Sequence, residues 1–129
     1  MKLKFIIPGE PKAKARPRFG KGGAVYTPDE TINYENWVKQ CFILEHRQKF
    51  LEGEIRATIH AYFTMPKSAT KGKKLAMQHN ITRPTKKPDT DNIAKIVLDS
   101  LNGLAYKDDS AVVDLVVQKF WSEIYSGLS

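Results

Sequence analysis

The strongest constraint on the fold is a strict alternation of side chains over residues 54–64. Ile55, Ile59 and Phe63 share one side of an extended chain, and Arg56 and Thr64 lie on the other side. Side chains that alternate in this way are typical of a strand with one buried face. Pro66 follows, and a proline cannot donate a ladder hydrogen bond. The segment therefore predicts a strand that buries one face against a core.

A long helix is predicted ahead of this strand. Thr27 suits the N-cap, Pro28 suits the first helical position, and Glu30 completes a capping box. The helix is expected to end near Gln48. Its buried stripe, read from helical spacing, comprises Tyr34, Trp37, Val38, Cys41 and Leu44. The pattern predicts that this helix packs on the core through one face.

The remaining periodic segments complete a small α+β domain. Residues 2–7 and 111–121 are predicted strands. A short basic helix capped by Ser68 is predicted to run to about Gln78. Another helix is predicted to begin at about Asp91 and to stop at Asn102-Gly103. The order β-α-β-(α)-α-β predicts one domain over residues 1–129, with a small mixed sheet covered by helices.

The charge of the chain indicates what it binds. The formal net charge is +7 and the pI is about 9.5, a balance that favours a phosphate-rich partner. Two segments hold most of the basic side chains, and both are expected to contact nucleic acid. The candidates are Lys12, Lys14, Arg16 and Arg18 in the first segment, and Lys71, Lys73, Lys74, Lys86 and Lys87 in the second. The alternative is that these segments are solvated loops.

Cysteine usage and hydropathy bear on location. The single cysteine, Cys41, excludes an intrachain disulfide and a Cys-cluster zinc site, and a reducing cytoplasm is the simplest compartment. No apolar run approaches the length of a membrane span, so no membrane partner is expected. His46, His60 and His79 are scattered and lack zinc-type spacing.

Carboxylates are concentrated in one part of this basic chain. Asp89 and Asp91 are two residues apart in an extended approach to a helix, so their side chains point the same way. Lys95 follows Asp91 by about one turn and shares its face, opposite the apolar stripe of that helix. Asp108 and Asp109 return the chain towards the sheet after a short connection. This connection predicts that they come back near the same helix.

Converging carboxylates beside a phosphate need a cation between them. Mg²⁺ takes oxygen ligands and is commonly held by one or two carboxylates with a substrate phosphate, and Mn²⁺ can substitute for it. Such an ion activates water in phosphodiester hydrolysis, and Lys95 would stabilise the charged transition state. Taken singly, each residue also has an ordinary explanation. Asp91 can be an N-cap, Asp108-Asp109 a turn, and Lys95 part of a solvated helix face.

Together these residues resemble a known family. The pattern is Asp89-x-Asp91-Asn92-x-x-Lys95, then Asp99-x-Leu101 and Lys107-Asp108-Asp109-x-x-Val112-Val113-Asp114, preceded by Gly9-x-Pro11-x-x-x-x-Arg16-Pro17-Arg18 and Tyr26-Thr27-Pro28. Over about residues 5–121 it resembles the RusA family of Holliday junction resolvases, which prophages often encode. The resemblance implies a homodimeric, magnesium-dependent endonuclease. Such enzymes make paired nicks in four-way DNA junctions during DNA recombination and repair.

The resemblance also implies roles for individual residues. Asp89, Asp91 and Asp109 match the metal-binding aspartates, Lys95 matches the catalytic lysine, and Asp108 is an additional candidate ligand. The basic segments would contact phosphates and read shape and charge rather than bases, which predicts a steep loss of binding with salt. A homodimer would supply two active sites to a two-fold symmetric junction.

One departure and two alternatives accompany this interpretation. Family members usually finish with a further strand, whereas residues 122–129 lack strand alternation, which predicts an exposed sheet edge. A metal nuclease that acts on flaps, replication forks or RNA would keep the same site with a different substrate. A non-catalytic nucleic-acid-binding module would use the basic loops alone, and its binding would not need Mg²⁺.

Overall fold

The structure is a computed structural model, and its described residues form a four-stranded sheet, a separate two-stranded sheet and three α-helices. The structure describes residues 2–12, 18–23, 25–26, 29–123 and 126–129. In chain order the elements are β1 (Ile7–Pro8), β2 (Arg18–Phe19), β3 (Val25–Tyr26), α1 (Asp29–His46), β4 (Ile55–Thr64), α2 (Lys71–Gln78), α3 (Thr90–Leu101), β5 (Val112–Ser122) and β6 (Gly127–Leu128). A 3-10 turn at Asp109–Ala111 precedes β5.

The larger sheet is mixed and runs in the order β1-β6-β4-β5. β4 and β5 are parallel, and their register runs from Ile55 opposite Val112 to Thr64 opposite Ser122. β6 is antiparallel to both of its neighbours, because Leu128 pairs with Ile7 on one side and with Ala61 on the other. β2 and β3 form the separate two-stranded sheet. The predicted α+β class with a small mixed sheet is confirmed.

The core forms where the apolar face of β4 meets α1 and α3. Ile59, Ala61 and Phe63 of β4 are buried, as the alternation predicted. Val38 and Phe42 of α1 and Ile93 and Ile96 of α3 belong to the same buried cluster. Burial of such side chains contributes about 1.5–3 kcal/mol each relative to exposure. α1 and α3 are therefore fixed against one face of the sheet. The acidic motif begins at the start of α3, so its position is fixed as well.

The N-terminal helix differs in detail from the expectation. α1 begins at Asp29, and the predicted cap at Thr27 and Pro28 lies outside the described residues. It ends at His46 because Arg47 adopts a left-handed conformation (φ 54) that stops a helix. Trp37 and Leu44 are 42% and 77% exposed, so their assignment to the buried stripe was wrong. The Trp37 indole instead donates from Nε1 to the Pro8 carbonyl at 2.8 Å.

Three other boundaries move by a few residues. α2 begins at Lys71, and its cap is the Thr70 hydroxyl, which accepts from the Lys73 amide, rather than Ser68. α3 begins at Thr90 and its N-cap is Asp89 rather than Asp91. The first strand is only Ile7–Pro8, because β6 offers only two residues to pair with it. The last predicted strand is confirmed as β5.

The carboxyl-terminal segment contains a strand, so the expectation that it leaves a sheet edge exposed is corrected. Residues 127–128 form β6, which lies between β1 and β4 and is buried. The segment is fastened on both sides: the Gly9 amide donates to Ser126, and His60 and Ser129 exchange two backbone hydrogen bonds at 2.8 and 2.9 Å. Two paired residues are too few to show alternation, so this strand could not be read from the sequence.

Candidate functional site

Asp89 caps the helix that carries most of the acidic motif. Its Oδ1 accepts a hydrogen bond from the Asn92 amide at 3.1 Å, which satisfies one of the free N–H groups at the start of α3. The positive end of the helix dipole also favours a carboxylate at this position. The buried Pro88 precedes Asp89. The carboxylate is therefore held in place by both the cap and the adjoining chain.

Asp91 and Lys95 lie on the outer face of the same helix. Both side chains are exposed, while Ile93 and Ile96 on the opposite face have no accessible surface. The spacing of one turn brings the carboxylate and the ammonium onto one face. The predicted direction of the Asp91–Lys95 face is confirmed, and the pair is available to a bound polyanion.

Asp108 and Asp109 lie in the turn that packs against the other end of α3. Asp108 Oδ2 accepts from the Ser110 amide at 3.1 Å and caps the 3-10 turn. Hydrogen bonds from the Ser110 side chain and amide hold the pKa of Asp108 below its usual value. Asp109 is half-buried beside them. The expected return of the chain to this helix is confirmed.

Tyr106 marks where this turn meets the helix. Its hydroxyl donates to the Leu98 carbonyl at 2.6 Å. Burial raises the pKa of Tyr106 well above the usual value for a phenol, and the charges of Asp109, Asp99 and Asp108 raise it further. Asp108 and Asp109 thus come close to the second half of α3, whereas Asp89 and Asp91 lie at its start.

The donor chemistry of Asp89 and Asp91 fits Mg²⁺, which takes oxygen ligands. Within the part of the chain that the structure describes, no three His, Cys, Asp or Glu side chains are placed to hold one metal ion. Mg²⁺ prefers carboxylate oxygens, and it commonly takes only one or two of them with phosphate and water. Asp89 and Asp91 match that smaller requirement in type and in exposure.

Lys119 is a neighbour of Asp89 that the sequence motif does not include. It lies on β5, and its Nζ is 5.2 Å from the centre of the Phe63 ring. Burial lowers the pKa of Lys119, while the nearby charge of Asp89 acts to raise it and that of Lys86 to lower it. Lys119 alternates with Val117 and Trp121 on the core side of β5, and a cation on this otherwise apolar face is the signal that could have identified it.

Glu10 is a second unpredicted residue of this region. Its Oε1 accepts hydrogen bonds from the Thr64 amide at 2.9 Å and from the Thr64 hydroxyl. Burial acts to raise the pKa of Glu10, but these bonds and the charge of Lys86 outweigh it and hold the pKa below its usual value. Glu10 thereby ties the N-terminal segment to the carboxyl end of β4.

The basic candidates occupy different surroundings. Lys12 and Lys87 line one cleft of about 330 Å³ with Glu30 and Pro88, so this cleft reaches the residue that precedes Asp89. Lys86 is placed elsewhere, with its Nζ 5.4 Å from the centre of the Phe63 ring and 5.5 Å from that of Trp121.

The remaining basic candidates divide between α2 and the N-terminal segment. Lys71 and Lys73 are exposed on α2, and Lys74 is half-buried. Lys14, Arg16 and the side chain of Arg18 lie outside the described residues. Among the candidates that the structure describes, Lys12 and Lys87 are far apart in sequence and line the same cleft.

A small α+β domain with a basic cleft beside helix-anchored carboxylates has the features of a nuclease. The chain belongs to the RusA family: the family described as Endodeoxyribonuclease RusA matches residues 8–128. The chain is also 42% identical over 128 residues to the uncharacterized protein YqaN of Bacillus subtilis (strain 168), covering 94% of this chain and 89% of that relative. In the described residues, none of the helices is long and apolar enough to cross a membrane.

Proposed function

We propose that the chain is a magnesium-dependent endonuclease that resolves four-way DNA junctions by paired nicks in DNA recombination and repair. Membership of an endodeoxyribonuclease family supports hydrolysis of DNA. The observation that carries the proposal is the placement of Asp89 and Asp91 at the exposed start of α3, next to a cleft lined by Lys12 and Lys87. Mn²⁺ is expected to substitute for Mg²⁺, since both take oxygen ligands.

Four aspartates and one lysine of the motif have a part in this proposal. Asp89 and Asp91 would hold the metal ion with substrate phosphate and water. The family resemblance adds Asp109 as a ligand and Asp108 as a further candidate, although the described residues do not place three such side chains around one ion. When bound, Mg²⁺ supplies activation of water and neutralisation of the leaving oxygen. Lys95 shares the face of Asp91 and would offset negative charge on the phosphate in the transition state. The hydrogen bond from the Asn92 amide to Asp89 Oδ1 supports this role, because it limits the orientations of the carboxylate.

The basic cleft would bind the DNA backbone rather than the bases. Lys12 and Lys87 line the cleft beside Asp89, and phosphate contacts from lysine fix the position of DNA without reading its sequence. Arg16, Arg18 and the lysines of α2 would extend this surface. A homodimer would present two such sites to a two-fold symmetric junction, and it would therefore make paired nicks.

The test is cleavage of a synthetic four-way junction beside a linear duplex of the same sequence. We expect paired nicks in the junction with Mg²⁺ or Mn²⁺, no cleavage with EDTA, and no nicks in the duplex. Tight junction binding without cleavage in any metal would favour a non-catalytic binding module. Equal cleavage of flaps, forks or RNA would favour a metal nuclease of different substrate range.

A second prediction concerns salt. Replacing Lys12 or Lys87 by alanine should weaken binding to all junction sequences alike, because each lysine would contact phosphate. Each change should also lower the slope of log affinity against log salt concentration by about 1. Lys49→Ala is the matched control, since Lys49 is exposed and lies in the loop after α1, away from the cleft. If the slope stays at the wild-type value, that lysine does not contact a DNA phosphate.

A further inference from the structure

Lys119 is bound to the loop before Asp89 at both its side chain and its backbone. Its Nζ donates a hydrogen bond to the Lys86 carbonyl at 2.5 Å. Its own carbonyl accepts a hydrogen bond from Arg83 Nε at 2.8 Å. One residue of β5 therefore fastens the loop at two points, Arg83 and Lys86.

The loop that Lys119 fastens leads directly into the acidic motif. It connects Gln78, the last residue of α2, to Thr90, the first of α3, and it contains no helix or strand of its own. Asp89 follows Lys86 closely and caps α3. A segment without its own ladder hydrogen bonds depends on side chains to fix its path. The position of the Asp89 carboxylate thus depends on what holds this loop.

The surroundings of Lys119 strengthen its hydrogen bond to the Lys86 carbonyl and fix the path of its side chain. Lys119 pairs in register with Ala61, which is fully buried, so the lysine stem runs along the core side of the sheet. The half-buried ammonium is partly shielded from water, and a charge-assisted hydrogen bond there is stronger than one in solvent. Arg83 stacks its guanidinium 4.6 Å from the centre of the Phe120 ring on the other face of β5. The loop is thus held from both sides of the strand.

We propose that Lys119 is a positioning residue of the nuclease site, which holds the loop of residues 83–88 against β5 and so fixes Asp89 in its productive place. This inference rests on the proposed function. Lys119 acts through the Lys86 carbonyl and need not touch the DNA or the metal ion. Side chains that orient ligands of a metal site typically alter activity by about 10–100-fold when replaced.

The test compares Lys119→Met with the wild-type protein. Methionine keeps the unbranched stem but has no donor, so the loop loses its bond at Lys86. With junction already bound, we expect the cleavage rate to fall by about 10–100-fold, while junction affinity and its salt slope stay unchanged. Hydrogen exchange of backbone amides in residues 83–92 should become faster. Lys119→Arg keeps a charged donor and should restore most of both properties.

Lys49→Met is the matched control, because it removes the same charge from an exposed lysine that lies in the loop after α1 and belongs neither to β5 nor to the loop of residues 83–88. It should change neither the cleavage rate nor exchange in the loop. If Lys119→Met fails to fold, the comparison is made with Lys119→Gln, which keeps a polar head too short to reach the same carbonyl.

Three results would overturn the inference. The first is a wild-type cleavage rate in the variant, and the second is unchanged hydrogen exchange in the loop. The third is a salt slope lower by about 1 with full cleavage at saturation, which would make Lys119 a phosphate contact. If the wild-type protein cuts no junction, the proposed function fails, whereas hydrogen exchange still decides whether Lys119 holds the loop.

Discussion

Replacing Asp91 by asparagine should lower the rate of junction cleavage by about 10²–10³-fold or more, the scale of losing one directly acting electrostatic group. Asparagine has nearly the same shape but no charge, so the ligand is lost without a change in packing. The fold should survive, because Asp89 and not Asp91 caps α3. Junction affinity should hold or rise, since one negative charge is removed next to the DNA. Single-turnover cleavage and gel-shift titrations measure the two effects separately.

Asp114→Asn is the matched control for this prediction. Asp114 is an exposed carboxylate of β5, and it forms an ion pair with Arg56 at 3.3 Å, where the two residues are paired in register. Exposed pairs of this kind contribute little to stability, and Asp114 has no part in the proposed site. Cleavage by Asp114→Asn should match the wild-type rate. A drop of only a few-fold in Asp91→Asn would exclude Asp91 as a metal ligand.

Gly127→Ala should destabilise the fold by about 3 kcal/mol or more, the combined scale of backbone strain and steric overlap. Gly127 has a φ of +152°, and a Cβ there would lie 2.5 Å from the Ile7 carbonyl oxygen. That oxygen belongs to the backbone of β1 and cannot move without disturbing the pairing of Ile7 with Leu128. Urea unfolding followed by the fluorescence of Trp37 and Trp121 measures the loss.

Gly72→Ala is the matched control, and it should change the stability in the opposite direction in the same urea-unfolding measurement. Gly72 lies within α2, and a Cβ there would meet nothing within 4 Å. Alanine in a helix is more favourable than glycine by about 0.5–1 kcal/mol, so this variant should be slightly more stable than wild type. Wild-type stability in Gly127→Ala would show that β6 does not pair between β1 and β4.

Long periodic segments of this fold could be predicted from the sequence, and short paired segments could not. β4 and the buried stripe of α3 repeat their pattern often enough to be recognised. β6 has two residues, and its place in the sheet depends on Ile7 and Ala61, which are distant in sequence. Trp37 has helical spacing that suits a core position, yet its indole bonds to Pro8. Spacing alone does not separate those outcomes.

In the candidate site, too, some features follow from the local sequence and others depend on contacts between distant residues. The shared face of Asp91 and Lys95 follows from helical geometry and needs no tertiary information. The neighbourhood of Asp89 and Lys119 depends on the register that places Lys119 beside Ala61, and no local pattern encodes that register. The sequence offers Asp91 as a possible N-cap, whereas Asp89 caps α3, because either aspartate can fill the role.

The pairing order of the larger sheet also affects how the chain acquires activity. β4 pairs with β5 across the whole α2–α3 connection, and β1 joins the sheet only through β6. Every one of these contacts closes a long loop, and proteins dominated by such closures fold slowly compared with those built from local contacts. The loop before Asp89 needs β5, and the segment of Glu10 needs the end of β4. A partly folded chain with helices but without the sheet would therefore lack the contacts that hold the loop before Asp89 and the segment of Glu10.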